Sequence, residues 1–268
     1  MSRRQVMRVA AGVGAGIGGF AVTRRATAAP GTATPAAGPA LGYVSLRLRQ
    51  LGDAAARAQV NDLVTTDFIP DVQDLPGYQG YILADVLDDD RQSLAVVVLD
   101  DAAQAERFTT LAQQFVAGLP SDIAVETPVS VAGDLMITGA NQSAQATPAA
   151  TASPNSDSPS YVAVRVHTSL PGTDPLDFVP LATNDFVPII ANLPGFQGYL
   201  WFPSEGGFTA VSLYDSEATA RESTEAAADF VAEYLTAFTD GNPRVINATG
   251  VFVDLPILDS QGSRTTGQ

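Results

Sequence analysis

The sequence predicts an α+β protein in which two copies of one β-α-β-β-α-β unit form a single barrel. A seven-residue segment occurs twice, as Leu75–Tyr81 (LPGYQGY) and as Leu193–Tyr199 (LPGFQGY). The same order of strand-like and helix-like patterns surrounds each copy. A segment that recurs inside a recurring pattern indicates internal duplication of one structural unit.

The duplication extends well beyond the seven residues. Aligning Tyr43–Tyr81 with Tyr161–Tyr199 needs no gap, and 14 of the 39 positions are identical. After a three-residue deletion in the second copy, Leu99 and Asp100 align with Tyr214 and Asp215. The sequence therefore divides into a signal segment (1–29), a disordered tether (30–41), repeat 1 (42–138), a flexible linker (139–160), repeat 2 (161–258) and a disordered tail (259–268).

Each repeat opens with a strand and a helix. Residues 43–49 alternate between apolar Val44, Leu46 and Leu48 on one face and polar residues on the other, which is the period of a strand. Asp53 is a plausible N-cap of the helix that follows in repeat 1. Asp174, followed by proline, suits the same position in repeat 2.

The seven-residue segment predicts the end of this first helix. Proline disfavours helical torsions in the leucine before it, and the next glycine turns the chain readily. Gly80 and Gly198 allow close backbone approach as the second strand begins. Pro70 and Pro188 lie within the helical stretch, where we expect each to break or kink the helix.

The remaining elements complete the unit. Third strands are predicted at 94–99 and 208–214, and a helix capped by Asp101 follows the first of them, with Gln104 as capping-box partner. The last strand of repeat 2 is predicted at about 245–255. This order is ferredoxin-like, with an antiparallel sheet and both helices on one face. Two such repeats cover each other's open sheet face and form an intramolecular pseudo-dimeric α+β barrel, so we expect a monomer.

Composition excludes several classes of function. The chain has no cysteine, so it has no thiolate metal site, disulfide or cysteine nucleophile. The net charge is −15, and without the first 25 residues, which hold five arginines and no acid, it is 9 − 29 = −20. An acidic surface repels phosphate backbones, so nucleic acid is not a predicted partner. Nor does any cluster have the spacing of a metal site.

The first thirty residues resemble an export signal. Arg3 and Arg4 are followed by an apolar run from Val9 to Val22, and small residues suitable for cleavage come next. The sequence therefore predicts export through the twin-arginine route and an extracytoplasmic or secreted location. Membrane attachment is expected only if the signal stays uncleaved.

The two repeats resemble the antibiotic biosynthesis monooxygenase (ABM) family of the dimeric α+β barrel superfamily. The resemblance rests on a helix carrying Phe68-Ile69-Pro70 or Phe186-Val187-Pro188, the Leu-Pro-Gly-aromatic-x-Gly-Tyr segment, and a strand ending at Asp100 or Asp215. It covers both repeats. The family contains cofactor-independent oxygenases of aromatic compounds, haem-degrading enzymes and proteins without established activity.

The resemblance suggests site residues only in part. Haem-degrading relatives use a helical histidine as iron ligand, whereas the sole histidine here, His167, falls at a strand end, where an exposed polar residue is the alternative. Trp201, the sole tryptophan, is a candidate pocket aromatic or a residue of the core between the sheets. Tyr81 and Tyr199 are candidate ligand contacts or residues that close the barrel ends. No cofactor is predicted, and haem bound through His167 is the alternative.

Arg47 and Arg165 occupy equivalent positions on the polar face of the first strands. If the apolar faces meet the helices, both arginines enter the space between the sheets, where a buried guanidinium needs a partner. An anionic ligand is one candidate partner, and an ion pair with Asp85, or with Asp67 and Asp185, is the other.

These observations favour a non-catalytic, exported binding or interaction module that holds a small apolar or anionic ligand between its sheets. A cofactor-independent monooxygenase acting on a small aromatic substrate is the alternative, and the sequence leaves the presence of catalysis open. The candidate ligand-binding residues are Arg47, Tyr81, Arg165, His167, Tyr199 and Trp201.

Overall fold

The computed structural model describes residues 39–140 and 160–260. The predicted signal segment and most of the tether, the linker and the tail therefore lie outside the described residues. Within them, both repeats contain the predicted succession of strands and helices.

Repeat 1 has two helices on a four-stranded sheet. Its helix α1 is continuous but changes its winding, from an α-helix to a π-helical turn and back. The elements are β1 (Gly42–Gln50), α1 (Ala54–Leu63, the π turn Val64–Phe68, and Ile69–Gln73), β2 (Tyr78–Val86), β3 (Gln92–Leu99), α2 (Ala102–Ala117) and β4 (Val129–Leu135). A short strand, β5 (Ile137–Ala140), follows.

Repeat 2 has the same elements, with a π-helical turn in each helix. They are β6 (Tyr161–Thr168), α3 (the 3₁₀ turn Pro175–Phe178, Val179–Leu181, the π turn Ala182–Phe186, and Val187–Ala191), β7 (Phe196–Ser204), β8 (Gly207–Tyr214), α4 (Glu217–Phe230 and the π turn Val231–Leu235) and β9 (Arg244–Asp254). A last short helix, α5 (Pro256–Ser260), ends the described chain.

The predicted N-caps are confirmed. The Asp53 carboxylate accepts the Ala56 N–H at 2.8 Å, and the Asp101 carboxylate accepts the Gln104 N–H at 2.9 Å. Asp174 accepts from Leu176 in the same way. Each carboxylate satisfies a backbone donor that the first helical turn leaves without a partner.

All nine strands form one antiparallel sheet in the order β4-β1-β3-β2-β9-β6-β8-β7-β5. The first four strands and the set β9-β6-β8-β7 have the same internal order, which is that of the ferredoxin-like unit. The predicted fold class and duplication are therefore confirmed.

The final strand of each repeat joins the two repeats. β9 pairs with β6 over its first half and with β2 over its second. The segment β4–β5 does the same for repeat 1, because β4 pairs with β1, β5 pairs with β7, and the intervening Met136 donates its N–H to Trp201 O at 3.0 Å. The sheet thus closes into a nearly complete barrel. Strand β5 also corrects the predicted linker, whose first two residues belong to this strand.

The barrel interior is apolar and is built by the faces that alternate through Val44, Leu46 and Leu48 in β1 and through Val162 and Val164 in β6. The condition on which both arginines would enter the space between the sheets was that these faces meet the helices, and it is not met. The faces meet each other, and the helices cover the opposite faces. Both faces of every central strand are buried, so alternation alone does not identify the one under the helices.

Helix α5 covers one end of the barrel. Its Ile257 and Leu258 are buried in the interior cluster. A Cβ at Gly198 would collide with the Leu258 side chain, and one at Gly80 would lie 2.6 Å from that of Leu255. The predicted close backbone approach is confirmed at Gly80, where a Cβ would also lie 2.9 Å from Asp254 O, whereas the neighbour of Gly198 is a side chain. Repeat 2 extends two residues beyond its predicted end.

The prolines in the first helices do not interrupt them, contrary to our expectation. Pro70 and Pro188 each follow a π-helical turn by one residue, and the helix continues afterwards. In these turns Ile69 N–H bonds Val64 O and Val187 N–H bonds Ala182 O, five residues back. The wider turn separates the proline ring from the carbonyl that it would otherwise strike.

The repeated Pro-Gly turn is fixed by the aspartate that ends β3 or β8. Asp100 N–H donates to Gly77 O at 2.8 Å, and Asp215 N–H donates to Gly195 O at 2.9 Å. Both glycines have positive φ, 75° and 68°. A Cβ at Gly195 would also collide with the Asp215 carboxylate. The turn therefore requires glycine for its torsion and for its contact.

Replacing Gly195 by alanine tests this requirement. Gly206→Ala is the matched control, because its φ is 75° and a Cβ there meets nothing within 4 Å. We expect the control to lower the free energy of unfolding by about 1 kcal/mol, the cost of the left-handed torsion alone. Gly195→Ala should lose at least about 2 kcal/mol, since the collision adds to it. Urea unfolding measures both, and equal losses would contradict the role of the Asp215 contact.

Candidate ligand site

A cavity of about 20 Å³ lies between the sheet and the helices of repeat 2. Two polar side chains on β6 lie on its sheet side, and most of its other walls are aromatic or aliphatic. A space of this size holds about one water molecule or a small ion. The lining residues are Arg165, His167, Phe178, Phe186, Tyr199, Phe208, Ala210, Ala227, Phe230, Val231 and Leu235.

Arg165 lies on the central strand β6 with 1% of its surface exposed. Its guanidinium donates to three hydroxyls, at 3.0 Å to Ser212, 2.8 Å to Ser223 and 3.0 Å to Thr224. The Nε–H is buried and makes no hydrogen bond with any described residue. Arg165 therefore brings a charged group with a remaining donor to the cavity.

Arg165 has no carboxylate partner among residues 39–140 and 160–260. The predicted ion pairs of Arg47 and Arg165 with Asp85, Asp67 or Asp185 are wrong, and Asp85 instead pairs with Arg57 at 3.2 Å. Burial lowers the pKa of Arg165 from its ordinary value, but a guanidinium still keeps its proton. A buried cation balanced only by hydroxyl dipoles costs several kcal/mol, on the order of what a missing ion partner costs.

His167 is buried, with 6% exposure, rather than being an exposed strand-end residue. Its ring stacks on Phe208 with centroids 4.4 Å apart and planes 16° from parallel. The Nδ1 atom is enclosed and makes no hydrogen bond with the described residues. Burial, helped by the nearby charge of Arg165, lowers the pKa of His167 to about 4. The imidazole is therefore neutral at neutral pH.

Aromatic rings form the apolar walls of the cavity. Phe178 stacks on Phe208 at 5.1 Å, and Phe186 lies against Phe230 at 5.0 Å and Tyr199 at 5.8 Å. Burial raises the pKa of Tyr199, so its hydroxyl stays protonated despite the nearby Arg165. The π turn that ends α4 supplies the remaining aliphatic wall.

The equivalent arginine of repeat 1 has different contacts. Arg47 lies under the ring of Phe108, with Cζ 4.6 Å from the ring centroid, and donates to Thr109 Oγ1 at 2.7 Å. The residue of repeat 2 that aligns with Phe108 is Ser223. The exchange of phenylalanine for serine replaces a cation–π contact by a hydrogen bond, because Ser223 accepts from Arg165 at 2.8 Å. This mismatch between two otherwise similar helices is readable in the aligned sequence and was missed.

The structure brings three of the six predicted site residues to the cavity, namely Arg165, His167 and Tyr199. Trp201 is fully buried behind the wall, 5.8 Å from Phe178 and 5.4 Å from Phe208 between ring centroids. The remaining two, Arg47 and Tyr81, lie under the helices of repeat 1. Sequence reasoning did not identify the phenylalanine walls or the hydroxyls that hold Arg165.

The predicted position between the two sheets is wrong for all six residues. That space contains the apolar interior of the barrel, and the six side chains lie on the helix-covered faces. A ligand of this chain is therefore bound beneath the helices, if it uses these residues.

The alternative cofactor, haem, does not fit around His167. A cavity of about 20 Å³ is far smaller than a porphyrin, and the imidazole face is covered by Phe208.

The described residues also contain no group of three or more histidine, aspartate or glutamate side chains placed to hold a metal ion. Within the same ranges no helix has the length and apolarity needed to cross a membrane.

Solved structures with the same architecture align with this chain over nearly their whole length. A candidate monooxygenase from Fusobacterium nucleatum superposes with a TM-score of 0.60 at 13% identity, over 81% of this chain and 95% of that one. One from Lactobacillus acidophilus gives 0.55 at 10% identity, over 80% and 96%. A candidate chlorite dismutase gives 0.51 at 13% identity, over 83% and 98%. The chain has the dimeric α+β barrel fold.

At these identities the dimeric α+β barrel resemblance establishes architecture and leaves activity open. No protein-family model and no curated protein matches the sequence significantly. Membership of the barrel in the ABM family accordingly stays a prediction.

The buried neutral histidine predicts a specific pH dependence of stability. Below about pH 6.5 the unfolded chain binds a proton at His167, whereas the folded chain does so only near pH 4. The stability contributed by the neutral imidazole is thus complete above pH 6.5 and is lost as the pH falls towards 4. Between pH 7 and 5 the loss should be about 2 kcal/mol.

His167→Phe keeps an aromatic ring beside Phe208 and removes the titration. Urea unfolding at several pH values gives the free energy for both proteins, and the difference between them isolates His167 from the carboxylates. We expect wild type to lose about 2 kcal/mol more than the variant between pH 7 and 5. Parallel profiles would show that His167 is not buried in its neutral form.

Proposed function

We propose that the chain is a non-catalytic binding module that holds a small monovalent anion against Arg165 in repeat 2. The observation that carries the proposal is a guanidinium with 1% exposure and no carboxylate partner among the described residues. An anion beside this group offsets a buried charge that hydroxyls solvate only in part.

The walls of the cavity restrict the class of anion. One fixed positive charge and a neutral imidazole match a single negative charge. The volume of about 20 Å³ suits a small ion such as chloride or formate, and the phenylalanine walls favour formate, whose C–H group is apolar. Arg165 supplies its remaining N–H, and Tyr199 contributes a protonated hydroxyl nearby.

The asymmetry of the duplication supports a site of this kind in repeat 2. In repeat 1 the ring of Phe108 covers the Arg47 guanidinium, whereas its counterpart Ser223 accepts a hydrogen bond from Arg165. The two arginines therefore have different partners, and the Arg165 Nε–H remains available to a ligand. The proposal includes a monomeric pseudo-dimer. It also includes export by the twin-arginine route, which the first thirty residues predict.

A cofactor-independent monooxygenase of ABM type is the second candidate. The observation that favours it is an apolar cavity in repeat 2 with convergent polar groups. A neutral imidazole is also competent as a base. Against it, a cavity of about 20 Å³ does not admit an aromatic ring. The binding function therefore has the stronger support.

Thermal unfolding in formate tests the proposed site. Wild type in a buffer of bulky organic ions should gain about 1.4 kcal/mol at ten times the dissociation constant, which raises Tm by about 3 to 5 °C. Arg165→Met should lose this response. It should not lose a matching amount of stability, because the substitution removes the unpaired buried charge as well as the group that binds the anion. Arg165→Gln, which keeps hydrogen-bonding capacity, serves if the methionine variant does not fold.

The control is Arg107→Met, which removes one positive charge from the exposed side of α2. Its formate response should equal that of wild type. If Arg165→Met and wild type respond alike, formate acts elsewhere and the proposed site is wrong. Oxygen consumption with small phenols, absent in wild type and variants alike, is the result that the binding function predicts.

A further inference from the structure

Arg165 and His167 bring two basic groups to one wall of the repeat 2 cavity. The two residues lie two positions apart on β6, so their side chains leave the strand on the same face. Both line the space of about 20 Å³ beneath the helices. A ligand in that space is therefore in reach of a guanidinium and of an imidazole.

Each of these two groups has an enclosed nitrogen that makes no hydrogen bond with the described residues. The nitrogens are Arg165 Nε and His167 Nδ1, on side chains that are 1% and 6% exposed. Phe208 stacks on a face of the imidazole, which leaves the ring edge for polar contacts. Because buried polar atoms are normally hydrogen-bonded, two such nitrogens beside one cavity indicate a ligand that accepts from both.

No acidic side chain is among the residues that line this cavity. β6 contributes Arg165 and His167, and β7 contributes Tyr199, whose hydroxyl is protonated. The lining residues of β8, α3 and α4 are all apolar. Burial and the charge of Arg165 hold the pKa of His167 at about 4. None of the lining residues therefore stabilises a protonated ring.

An anion in the cavity supplies what the lining residues lack. A negative charge within hydrogen-bond reach of an imidazole favours its charged form, and it also offsets the charge of Arg165. Protonation makes both ring nitrogens donors, so Nδ1–H can donate to the anion whichever tautomer the neutral ring has. The anion and the proton thus stabilise each other.

We infer that the cavity binds its anion together with a proton, the anion between Arg165 Nε–H and His167 Nδ1 and the proton on the His167 ring. The inference rests on the proposed anion site and adds the group that regulates it. The complex holds the proton more firmly than the free protein does, so the affinity for the anion rises as the pH falls. The ligand taken up is then equivalent to a small monobasic acid, and the net charge of the cavity does not change.

An NMR titration of the His167 ring tests the inference directly. His167 is the only histidine of the chain, so its ring signals need no assignment. The midpoint of protonation is measured in a buffer of bulky organic ions, and again with sodium chloride or sodium formate at equal ionic strength. We expect each small anion to raise the midpoint by about one to two pH units. Chloride is the stricter probe, because it does not itself take up a proton.

Calorimetric titration with chloride measures the same coupling as an affinity. Between pH 7 and pH 5 the affinity of wild type should rise about twofold to tenfold. His167→Gln keeps a polar side chain but does not titrate, so its affinity should be the same at both pH values. The NMR titration of wild type keeps the test available if this variant does not fold.

Variants of the arginines locate the anion. Arg165→Met, or Arg165→Gln if the first does not fold, should remove the effect of both anions on the midpoint. Arg107→Met should shift as wild type does, since its charge is on the exposed side of α2. An equal shift in wild type and in the Arg165 variants overturns the shared site, and so does an equal shift with the bulky ions alone.

Failure of the inference is distinguishable from failure of the binding function. If formate raises Tm at pH 7 but neither anion moves the His167 midpoint, proton uptake is overturned and anion binding stands. If formate does not raise Tm and the midpoint is also unmoved, both are overturned. A pH dependence of chloride affinity that persists in His167→Gln assigns the proton to another group and overturns the inference alone.

Discussion

The structure depends on one constraint, which is that a ferredoxin-like sheet has two apolar faces and its helices cover only one. Each repeat therefore needs the other. The final strands satisfy this need, because β9 crosses from β6 to β2 and the segment β4–β5 crosses from β1 to β7. The crossing closes the sheet, and the interior fills with Val, Leu and Ile side chains. Neither repeat retains an open sheet face.

Closure of the barrel also determines where a ligand can bind. The interior is packed by branched aliphatic side chains from both repeats, and α5 covers one end of it. Polar side chains of the strands are consequently restricted to the faces under the helices. There Arg47, Arg49 and Arg165 are all buried, and none has a carboxylate partner in residues 39–140 or 160–260. Although the chain is acidic overall, these three arginines are thus buried without a carboxylate partner among the described residues.

The two repeats show how duplication separates scaffold from site. Both keep the Pro-Gly turn bonded to an aspartate, the π turn before proline and an arginine on the central strand. They differ where the helices face that arginine, with Phe108 in one repeat and Ser223 in the other. In repeat 1 an aromatic ring covers the guanidinium by a cation–π contact, and in repeat 2 a hydroxyl accepts a hydrogen bond from it. The cavity beside Arg165 is lined by other residues, among them His167 and Phe208, whose counterparts in repeat 1 are Arg49 and Ser93.

The sequence by itself determined the duplication, the order of strands and helices, the caps at Asp53, Asp101 and Asp174, and the barrel, because these follow from local periodicity and backbone torsion. It also placed Arg47 and Arg165 on the face opposite the Val44 and Val162 faces. Only the tertiary structure decided which of those faces lies beneath the helices. Both faces are buried, so burial does not separate them, and the choice depends on how two repeats pack against each other. The same choice decided that the candidate residues lie beneath the helices rather than between the sheets.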